Sequence, residues 1–308
     1  MKVLVTGGAG FIGSQLVDKL LDESHEVVCV DNFHLGKPEF IKDAKTNALF
    51  HFYEHDLLDL ESLKKIFEEH NFEMVFHLAA NSDIEASLQS TDRDLKLTFQ
   101  LTYNVLECMR LFNVKKLFFT STGAVFGNHD SALTEDLPMN PESLYGASKL
   151  ASEAFIRAFS SLYGFQSWIL RLSNMVGQRP THGILFDFLK KIHTNKNQLI
   201  VLGDGNQNKP YMHVTELLDC IFFLIDNAKE NINVYNVGPK DTIKVSEIAK
   251  IFLKVHGTGQ EIFYTGGKIG WKGDQPVYSH NSKKLNLLGW SPKLSSREAI
   301  EMAIKDLI

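Results

Sequence analysis

A tyrosine and a lysine four residues apart are the residues of this sequence best suited to acid–base chemistry. Tyr145 and Lys149 fall near the start of an amphipathic stretch, Leu144–Tyr163, and a spacing of four places both side chains on one face of a helix. A cation beside a phenol favours the phenolate and lowers its pKa from about 10 towards neutrality, where it can act as a general base. An exposed tyrosine and lysine on a helix would give the same spacing, so the surrounding residues must decide.

The residues before this pair favour the catalytic interpretation. An apolar strand is predicted over residues 117–121, and open parallel sheets bind ligands beyond the carboxyl ends of their strands. Ser121 and Thr122 stand at that end and are candidate substrate contacts, and Thr122 can hydrogen-bond a reacting hydroxyl. Hydroxyl groups that only cap the end of the strand would also fit this pattern.

Glycines near the N-terminus predict a site for a dinucleotide. They stand where an apolar strand over residues 3–5 runs into an amphipathic helix. A turn this tight brings backbone N–H groups and a helix N-terminus onto a pyrophosphate, and only residues without a side chain permit that approach. Glycine-rich turns also join strands to helices where no ligand binds. The candidate cofactor contacts here are Gly7, Gly10, Phe11, Ile12 and Gly13.

The second predicted strand ends in an acidic residue that favours NAD. Asp31 follows the apolar residues 26–30, where a carboxylate can accept both hydroxyls of an adenosine ribose. A 2′-phosphate would be repelled by this carboxylate, and the following residues, Asn32, Phe33 and His34, supply no arginine to relieve the repulsion. NAD is therefore favoured over NADP, the alternative being that Asp31 only caps a turn.

Composition excludes several classes of protein. The 308 residues are 44% hydrophobic and carry a net charge of -5, without a lysine or arginine run interleaved with aromatics, so no nucleic-acid partner is expected. The longest apolar stretch, residues 217–225, is interrupted by Asp219, and nothing resembles a signal peptide, so we expect a cytoplasmic protein without a membrane partner. The three cysteines lie far apart, and His51 and His55 fall on a strand-like segment, so no metal site is expected.

The order of elements predicts an α/β fold. Strand-like and helical patterns alternate through the first half, which is typical of parallel strands joined by right-handed crossover helices. We expect a doubly wound parallel-sheet Rossmann domain over residues 1–172, with residues 213–238 returning to it. Turn-rich segments follow, and residues 173–308 are expected to form a smaller α+β substrate domain.

The motifs together resemble those of the extended short-chain dehydrogenase/reductases, and within them the UDP-galactose 4-epimerases. They span nearly the whole chain: TGGAGFIG, Asp31, Asp56 with Leu57, HLAA at 77–80, TSTGAVFG, YGASK and RLSNMVG. The resemblance implies tightly bound NAD, with Tyr145 as the base and Thr122 assisting. Lys149 would lower the pKa of the phenol and hold the nicotinamide ribose. Further cofactor contacts implied are Asn32, Asp56, Leu57, Leu78, Ala79 and Ala80.

By the same resemblance, the second half of the chain binds a nucleotide sugar. Asn174 corresponds to a contact to the diphosphate, and Lys209 stands where the family delivers an arginine to it. Lysine keeps the charge and loses the bidentate fork of arginine, so attraction to phosphate should survive with less geometric selectivity.

The C-terminal part departs further from the family. Trp271 stands where a second arginine is usual, and either this ring stacks on the ligand or its missing charge is supplied by Lys268, Lys272 or Arg179. The resemblance places Tyr278 at the sugar pocket, where its bulk favours plain hexoses. Thr98 stands where an asparagine near the active site is common.

The residues after Thr122 indicate which reaction to expect. Related 4,6-dehydratases carry an Asp-Glu pair there as a second acid and base, and this chain has Gly123 and Ala124. We therefore expect a 4-epimerase that interconverts UDP-glucose and UDP-galactose through a transient 4-keto sugar. The alternatives are a UDP-glucuronate epimerase or decarboxylase, another nucleotide-sugar oxidoreductase or dehydratase, and an NAD-sensing regulatory protein that does not catalyse.

The family resemblance also suggests a homodimer. Residues 95–112 and 144–163 are predicted to be long helices that are apolar on more than one side. Two such helices from each copy would form a four-helix interface.

Overall fold

The computed structural model describes residues 1–83, 86–129, 131–271 and 273–308. The strands are β1 Lys2–Thr6, β2 Glu26–Asp31, β3 Phe50–Glu54, β4 Met74–His77, β5 Lys116–Thr122, β6 Gln166–Leu172, β7 Asn174–Val176, β8 Gln198–Val201, β9 Asn208–Lys209, β10 Tyr211–His213, β11 Ile232–Val237, β12 Ile243–Lys244 and β13 Glu261–Tyr264. The helices are α1 Phe11–Asp22, α2 Leu60–Glu69, α3 Leu101–Leu111, α4 Leu144–Tyr163, α5 Ile184–Thr194, α6 Val214–Asn227, α7 Val245–His256, α8 Lys283–Leu288 and α9 Ser296–Asp306.

A seven-stranded sheet has the strand order β11-β6-β5-β4-β1-β2-β3. The pairs of β1 with β2 and β4, of β2 with β3, and of β4 with β5 are parallel. Apart from β11, this is the order of a doubly wound dinucleotide-binding sheet, in which the order reverses between β1 and β4. The predicted fold class is confirmed. Ligands of such sheets bind at that reversal, beyond the carboxyl ends of the strands.

The chain forms two compact units. The first comprises Met1–Ser121, Leu144–Leu170 and Leu224–Val234, and the second comprises Thr122–Ser143, Arg171–Phe223 and Tyr235–Ile308. The last residues of β5, β6 and β11 therefore belong to the second unit. Both units contain residues from three separate stretches of the chain.

The first unit is built on a sheet that is buried on both faces. Val3, Leu4 and Val5 of β1 are fully buried, as expected of a central parallel strand covered by helices. One apolar cluster joins sheet and helix side chains, among them Leu4, Val28, Val75, Leu106, Leu117 and Ile169. This packing fixes where the carboxyl ends of the strands lie.

One predicted helix of the first unit has an unexpected beginning. The pattern over residues 95–112 predicts one continuous helix, and the structure begins it with a π-helical segment, Leu95–Gln100, before α3. Asp94 precedes this segment as its N-cap residue. π-Helical turns are rare and often occur at functional sites.

The second unit has its own apolar core. Side chains of α5, α7, α9 and β8 form this core, among them Phe188, Val201, Ile248, Phe252 and Ile300. Ser295 and Glu298 form a capping box at the N-terminus of α9. None of the helices in the described part of the chain is long and apolar enough to cross a membrane.

Candidate functional site

The glycine turn after β1 has a geometry that side chains would block. Gly7 has φ +70°, and a Cβ added there would lie 2.7 Å from the Ala79 nitrogen. A Cβ on Gly13 would lie 2.1 Å from the carbonyl oxygen of Gly7. Gly10 is the N-cap residue of α1, so the first N–H groups of the helix face the turn. The turn fits a pyrophosphate approached by backbone N–H groups and a helix N-terminus, as NAD binding requires.

The segment that follows β4, which is also predicted to contact the cofactor, lies beside the glycine turn. Leu78 follows β4, and its N–H donates to the carbonyl oxygen of Thr6 at 3.1 Å. Leu78, Ala79 and Ala80 therefore leave the sheet beside Gly7, at the reversal of strand order. The sequence separates these two segments by some seventy residues, and the pairing of β1 with β4 brings them together.

Asp31, at the end of β2, is buried and holds the turn in place. Its Oδ2 accepts a hydrogen bond from the Ala9 N–H at 3.0 Å, and its Oδ1 accepts one from the Phe33 N–H at 2.8 Å. Burial raises the pKa of the Asp31 carboxyl, and these two hydrogen bonds oppose the rise. Each oxygen keeps a further acceptor site, so the carboxylate can still bind ribose hydroxyls.

Asn32 and Asp56, two of the expected cofactor contacts, lie together. The Asn32 amide donates to Asp56 Oδ2 at 3.2 Å, and the Leu58 N–H donates to Asp56 Oδ1 at 2.9 Å. Leu57 is buried, and its carbonyl oxygen accepts a hydrogen bond from the Asn104 amide at 2.8 Å. The loop after β3 is thus fixed by side chains on both sides.

Lys149 is a buried ionisable group of the first unit. It is one turn after Tyr145 on α4, is only 2% exposed, and donates from Nζ to the Thr120 carbonyl oxygen at 2.7 Å. Nζ also lies 4.6 Å from the centre of the Phe119 ring. Burial lowers the pKa of Lys149 to about 7, and the negative charges of Glu153 and Asp94 oppose that fall. Lys149 therefore changes between its ammonium and amine forms near neutral pH.

Glu153 is a residue of this site that the motifs did not identify. It follows Lys149 by four residues, so Tyr145, Lys149 and Glu153 share one face of α4. Glu153 is buried, and its Oε1 accepts a hydrogen bond from Ser121 Oγ at 2.5 Å. The second interval of four in the sequence could have indicated it. Ser121, a predicted substrate contact, is thereby connected to this buried carboxylate.

Asp94 supplies the second carboxylate that acts on Lys149. It is buried at the start of the π-helical segment, and its Oδ1 accepts a hydrogen bond from the Asn81 amide at 2.9 Å. The Asn81 N–H also lies 3.2 Å from Thr98 Oγ1, to which it donates. Thr98, which stands where the family commonly has asparagine, therefore positions Asn81. No spacing in the sequence indicates this role of Asp94.

The predicted substrate residues of the second unit form two pairs. The Asn174 amide donates to the Tyr278 hydroxyl at 2.8 Å and to the Pro210 carbonyl oxygen at 3.1 Å. Lys209 forms a largely buried ion pair with Asp274, so part of its charge is already compensated. Asn174 and Tyr278, 104 positions apart in the sequence, are thus brought into direct contact.

Thr122 and Trp271 are the remaining described candidates of the second unit. Thr122 Oγ1 accepts a hydrogen bond from the Ala124 N–H at 3.2 Å, which fixes the turn that follows β5. Trp271 is half-buried, whereas Lys272, one of the possible replacement cations, lies outside the described residues. Among the described residues, no cluster of three or more histidine, cysteine, aspartate or glutamate side chains could hold a metal ion.

The chain is similar to known proteins over nearly its whole length. Residues 3–238 match the NAD dependent epimerase/dehydratase family. The chain is 32% identical to a putative UDP-glucose 4-epimerase of Methanocaldococcus jannaschii, over 98% of this chain and 97% of that protein. The crystal structure of a UDP-galactose 4-epimerase superimposes with a TM-score of 0.89 at 34% identity, covering 100% of this chain and 98% of the other.

A further solved structure was determined with a different sugar. The UDP-glucuronic acid 4-epimerase of Bacillus cereus, in complex with UDP-glucuronic acid and NAD, superimposes with a TM-score of 0.87 at 27% identity. The alignment covers 100% of this chain and 99% of that one. These three relatives are all named as 4-epimerases of nucleotide sugars, and they differ in the sugar.

The burial of Lys149 predicts a pH-dependent stability. Its pKa is about 7 in the folded chain and about 10.5 when unfolded, so between these values only the unfolded state holds the proton, and stability rises with pH. Lys149→Met removes this contribution. Urea unfolding of nucleotide-free protein measures this contribution as the free energy of unfolding of wild type minus that of the variant. This difference should rise by up to about 1.4 kcal/mol per pH unit between pH 7 and 9.

The matched control is Lys65→Met, at an exposed lysine on α2. Its difference from wild type should stay constant over the same pH range. A constant difference for Lys149→Met as well would contradict the assigned burial effect.

Proposed function

The chain belongs to the NAD-dependent epimerase/dehydratase family, and we propose that within it the chain is a 4-epimerase that interconverts UDP-glucose and UDP-galactose. The observation that carries the proposal is the buried Lys149, one helical turn from Tyr145 and held against the end of β5. Thr122 ends that strand, and Gly123 follows it without an acidic side chain. This combination supplies a base and a hydroxyl contact, and it lacks the second acid–base pair that dehydration needs.

In the proposed reaction, Tyr145 acts as the base at the 4-hydroxyl of the sugar. Its phenolate takes the hydroxyl proton as the C4–O bond becomes a carbonyl, and it returns that proton when the carbonyl is reduced. Held by the glycine turn and Asp31, NAD would supply a reversible hydride acceptor for C4, so that cofactor and enzyme would be unchanged after each turnover. The sugar must present its opposite face before the hydride returns, which inverts C4.

Lys149 and Thr122 would prepare this proton transfer. A protonated Lys149 stabilises the phenolate of Tyr145, and Glu153 and Asp94 help keep the ammonium charged in its buried position. Lys149 would also hold the nicotinamide ribose. The Thr122 hydroxyl would hydrogen-bond the 4-hydroxyl and orient it for Tyr145.

The proposed cofactor contacts are concentrated in the first unit. The turn from Gly7 to Gly13 would bind the pyrophosphate, and Asp31 would bind the adenosine ribose. Asn32, Asp56 and Leu57 would border the adenine. The lack of space for a Cβ at Gly7 and Gly13 supports this assignment.

The substrate contacts that we propose lie in the second unit. Asn174 and Lys209 would bind the diphosphate of the nucleotide sugar, and Tyr278 would border the sugar. The ion pair of Lys209 with Asp274 means that Lys209 contributes less attraction than a free cation would. Trp271 would stack on a ring of the ligand rather than replace the arginine charge.

We also propose that the enzyme is a homodimer. Apolar side chains around α3 and α4 are exposed in the single chain, including Leu95, Leu111, Phe155 and Leu162. Phe99 and Phe155 form an edge-to-face pair between the π-helical segment and α4, at 4.8 Å between ring centres. An apolar face of this kind is suited to pack against its copy in a four-helix interface.

The proposed substrate is tested by assaying the purified protein with UDP-galactose, UDP-N-acetylgalactosamine and UDP-glucuronate. Products are identified by chromatography and by the stereochemistry at C4. We expect efficient conversion of UDP-galactose to UDP-glucose and weaker conversion of the N-acetyl sugar, because Tyr278 would crowd the acetamido group. Turnover of UDP-glucuronate alone would replace the hexose assignment with the uronate assignment.

Tyr145→Phe tests the assigned base. Removing a general base typically lowers the rate by about 10²–10⁴-fold. We expect a loss of that size in kcat for UDP-galactose, with the amount of NAD retained by the purified protein unchanged. Tyr264→Phe, on β13 of the second unit, is the matched control and should keep wild-type turnover. A Tyr145→Phe enzyme with nearly normal kcat would exclude Tyr145 as the base.

A further inference from the structure

His280 is a buried histidine whose two ring nitrogens have no hydrogen-bond partner in the described part of the chain. His280 is only 2% exposed. The backbone on either side is fixed, because the Leu133 N–H donates to Ser279 and the Asn281 N–H donates to Leu133, both at 2.9 Å. The ring is therefore held in place by the main chain, and its polar atoms are left for another partner.

The ring lies where three strands of the large sheet end. Gly123, Ser173 and Gly238 are the first residues after β5, β6 and β11, which are neighbours in the sheet. A Cβ added to Gly123 would lie 2.7 Å from His280 Nε2, and one added to Gly238 would lie 3.5 Å from His280 Cβ. The carboxyl ends of the strands are where such sheets bind ligands. All four residues belong to the second unit.

Both glycines serve to leave space. Neither Gly123 nor Gly238 has a positive φ, so neither position needs glycine for its backbone conformation. A Cβ on Gly238 would lie 2.7 Å from the Oγ of Ser173, just as a Cβ on Gly123 would meet the imidazole. The backbone at both positions would accept any residue. Glycine is therefore needed there only because a Cβ would clash with His280 or Ser173.

Ser173 contributes a second unpaired polar group to the same place. It is 7% exposed, and its Oγ has no hydrogen-bond partner among the described residues. Buried polar groups are nearly always hydrogen-bonded, because an unpaired one loses its interaction with water without a replacement. His280 and Ser173 both approach the position of a Gly238 Cβ, and the unpaired polar atoms of two such neighbours indicate a polar ligand.

The chemistry of these groups selects an uncharged ligand. Burial lowers the pKa of His280 to about 4, so its ring is neutral at physiological pH. A neutral imidazole offers one N–H donor and one nitrogen acceptor, and a serine hydroxyl also does both. A sugar hydroxyl is likewise donor and acceptor, whereas a carboxylate only accepts and would favour a cation.

The neighbours of His280 are the residues already assigned to the substrate. Gly123 is bonded to Thr122, for which a contact to the reacting 4-hydroxyl is proposed above. The ring of Tyr278 lies 5.7 Å from the His280 ring, and its hydroxyl is held by Asn174. A ligand contacting Thr122 and Tyr278 would therefore pass close to the imidazole.

We propose that His280, together with Ser173, is a specificity-determining contact to a hydroxyl group of the sugar, which favours neutral hexoses over uronates. The proposal rests on the function proposed above. It assigns His280 to recognition of the substrate and leaves proton transfer to Tyr145.

The experiment measures binding and turnover of the NAD-loaded enzyme with His280 changed. UDP-galactose and UDP are titrated calorimetrically into wild type, His280→Ala and His280→Asn. His280→Ala should weaken UDP-galactose binding about tenfold, the loss expected for a neutral hydrogen bond or two, and leave UDP binding unchanged. His280→Asn keeps a donor and an acceptor and should recover most of the affinity. His193→Ala, at an exposed histidine of α5, is the matched control and should change neither affinity.

Kinetics on the same variants separate recognition from stability. For His280→Ala we expect the KM for UDP-galactose to rise about tenfold with kcat changed by less than about threefold, and the preference for UDP-galactose over UDP-glucuronate to shrink. Gly123→Ala should act in the same direction by displacing the ring, and it should add little in the His280→Ala background.

The outcomes distinguish this proposal from the proposed function. A wild type that binds UDP-galactose more tightly than UDP but does not epimerise it would contradict the function, and the His280 proposal would then be decided by the binding data alone. If wild type binds UDP-galactose no better than UDP, or if His280→Ala only lowers thermal stability with unchanged affinity and KM, the proposal is wrong.

Discussion

The burial of the Lys149 ammonium is the interaction on which the active-site account depends. A lysine that is almost fully buried is no longer hydrated. Either the protein stabilises its positive charge, or the lysine loses its proton. The Thr120 carbonyl oxygen accepts a hydrogen bond from it, and the carboxylates of Glu153 and Asp94 favour its charged form. A phenolate at Tyr145 would add a third negative charge, on the same face of α4 as Lys149 and Glu153. The proton on Lys149 and the proton missing from Tyr145 are then coupled.

Much of the first unit could be predicted from the sequence because its signals are local. The glycine turn depends on residues a few positions apart, the acidic residue follows its own strand, and Tyr145 and Lys149 share a helix. The family, the fold class and the NAD dependence expected from these motifs are confirmed.

The contacts that the sequence could not predict are all made between distant segments. Asp94 acts on Lys149 through space, and the π-helical start of the helix over residues 95–112 interrupts a pattern that reads as regular. The ion pair of Lys209 with Asp274 joins β9 to the loop that follows β13, and it reduces the attraction that the sequence assigned to Lys209. No sequence motif includes His280. Its proposed contact to the sugar is inferred from its burial near Gly123 and Ser173. Residue types alone do not reveal which of these groups meet.

The pH dependence of kcat/KM for UDP-galactose is the most direct test of the coupling between Lys149 and Tyr145, because it reports the ionisation of the free enzyme. In wild type, activity should rise with pH as the coupled pair of Lys149 and Tyr145 loses its first proton, because one form of that state holds a phenolate beside an ammonium. Lys149→Met should move this rise to higher pH by about 1–3 units, the shift that a neighbouring charge typically causes, whereas Lys149→Arg, which keeps the charge, should move it much less. A Lys149→Met enzyme that is slower but rises at the same pH as wild type would contradict the account.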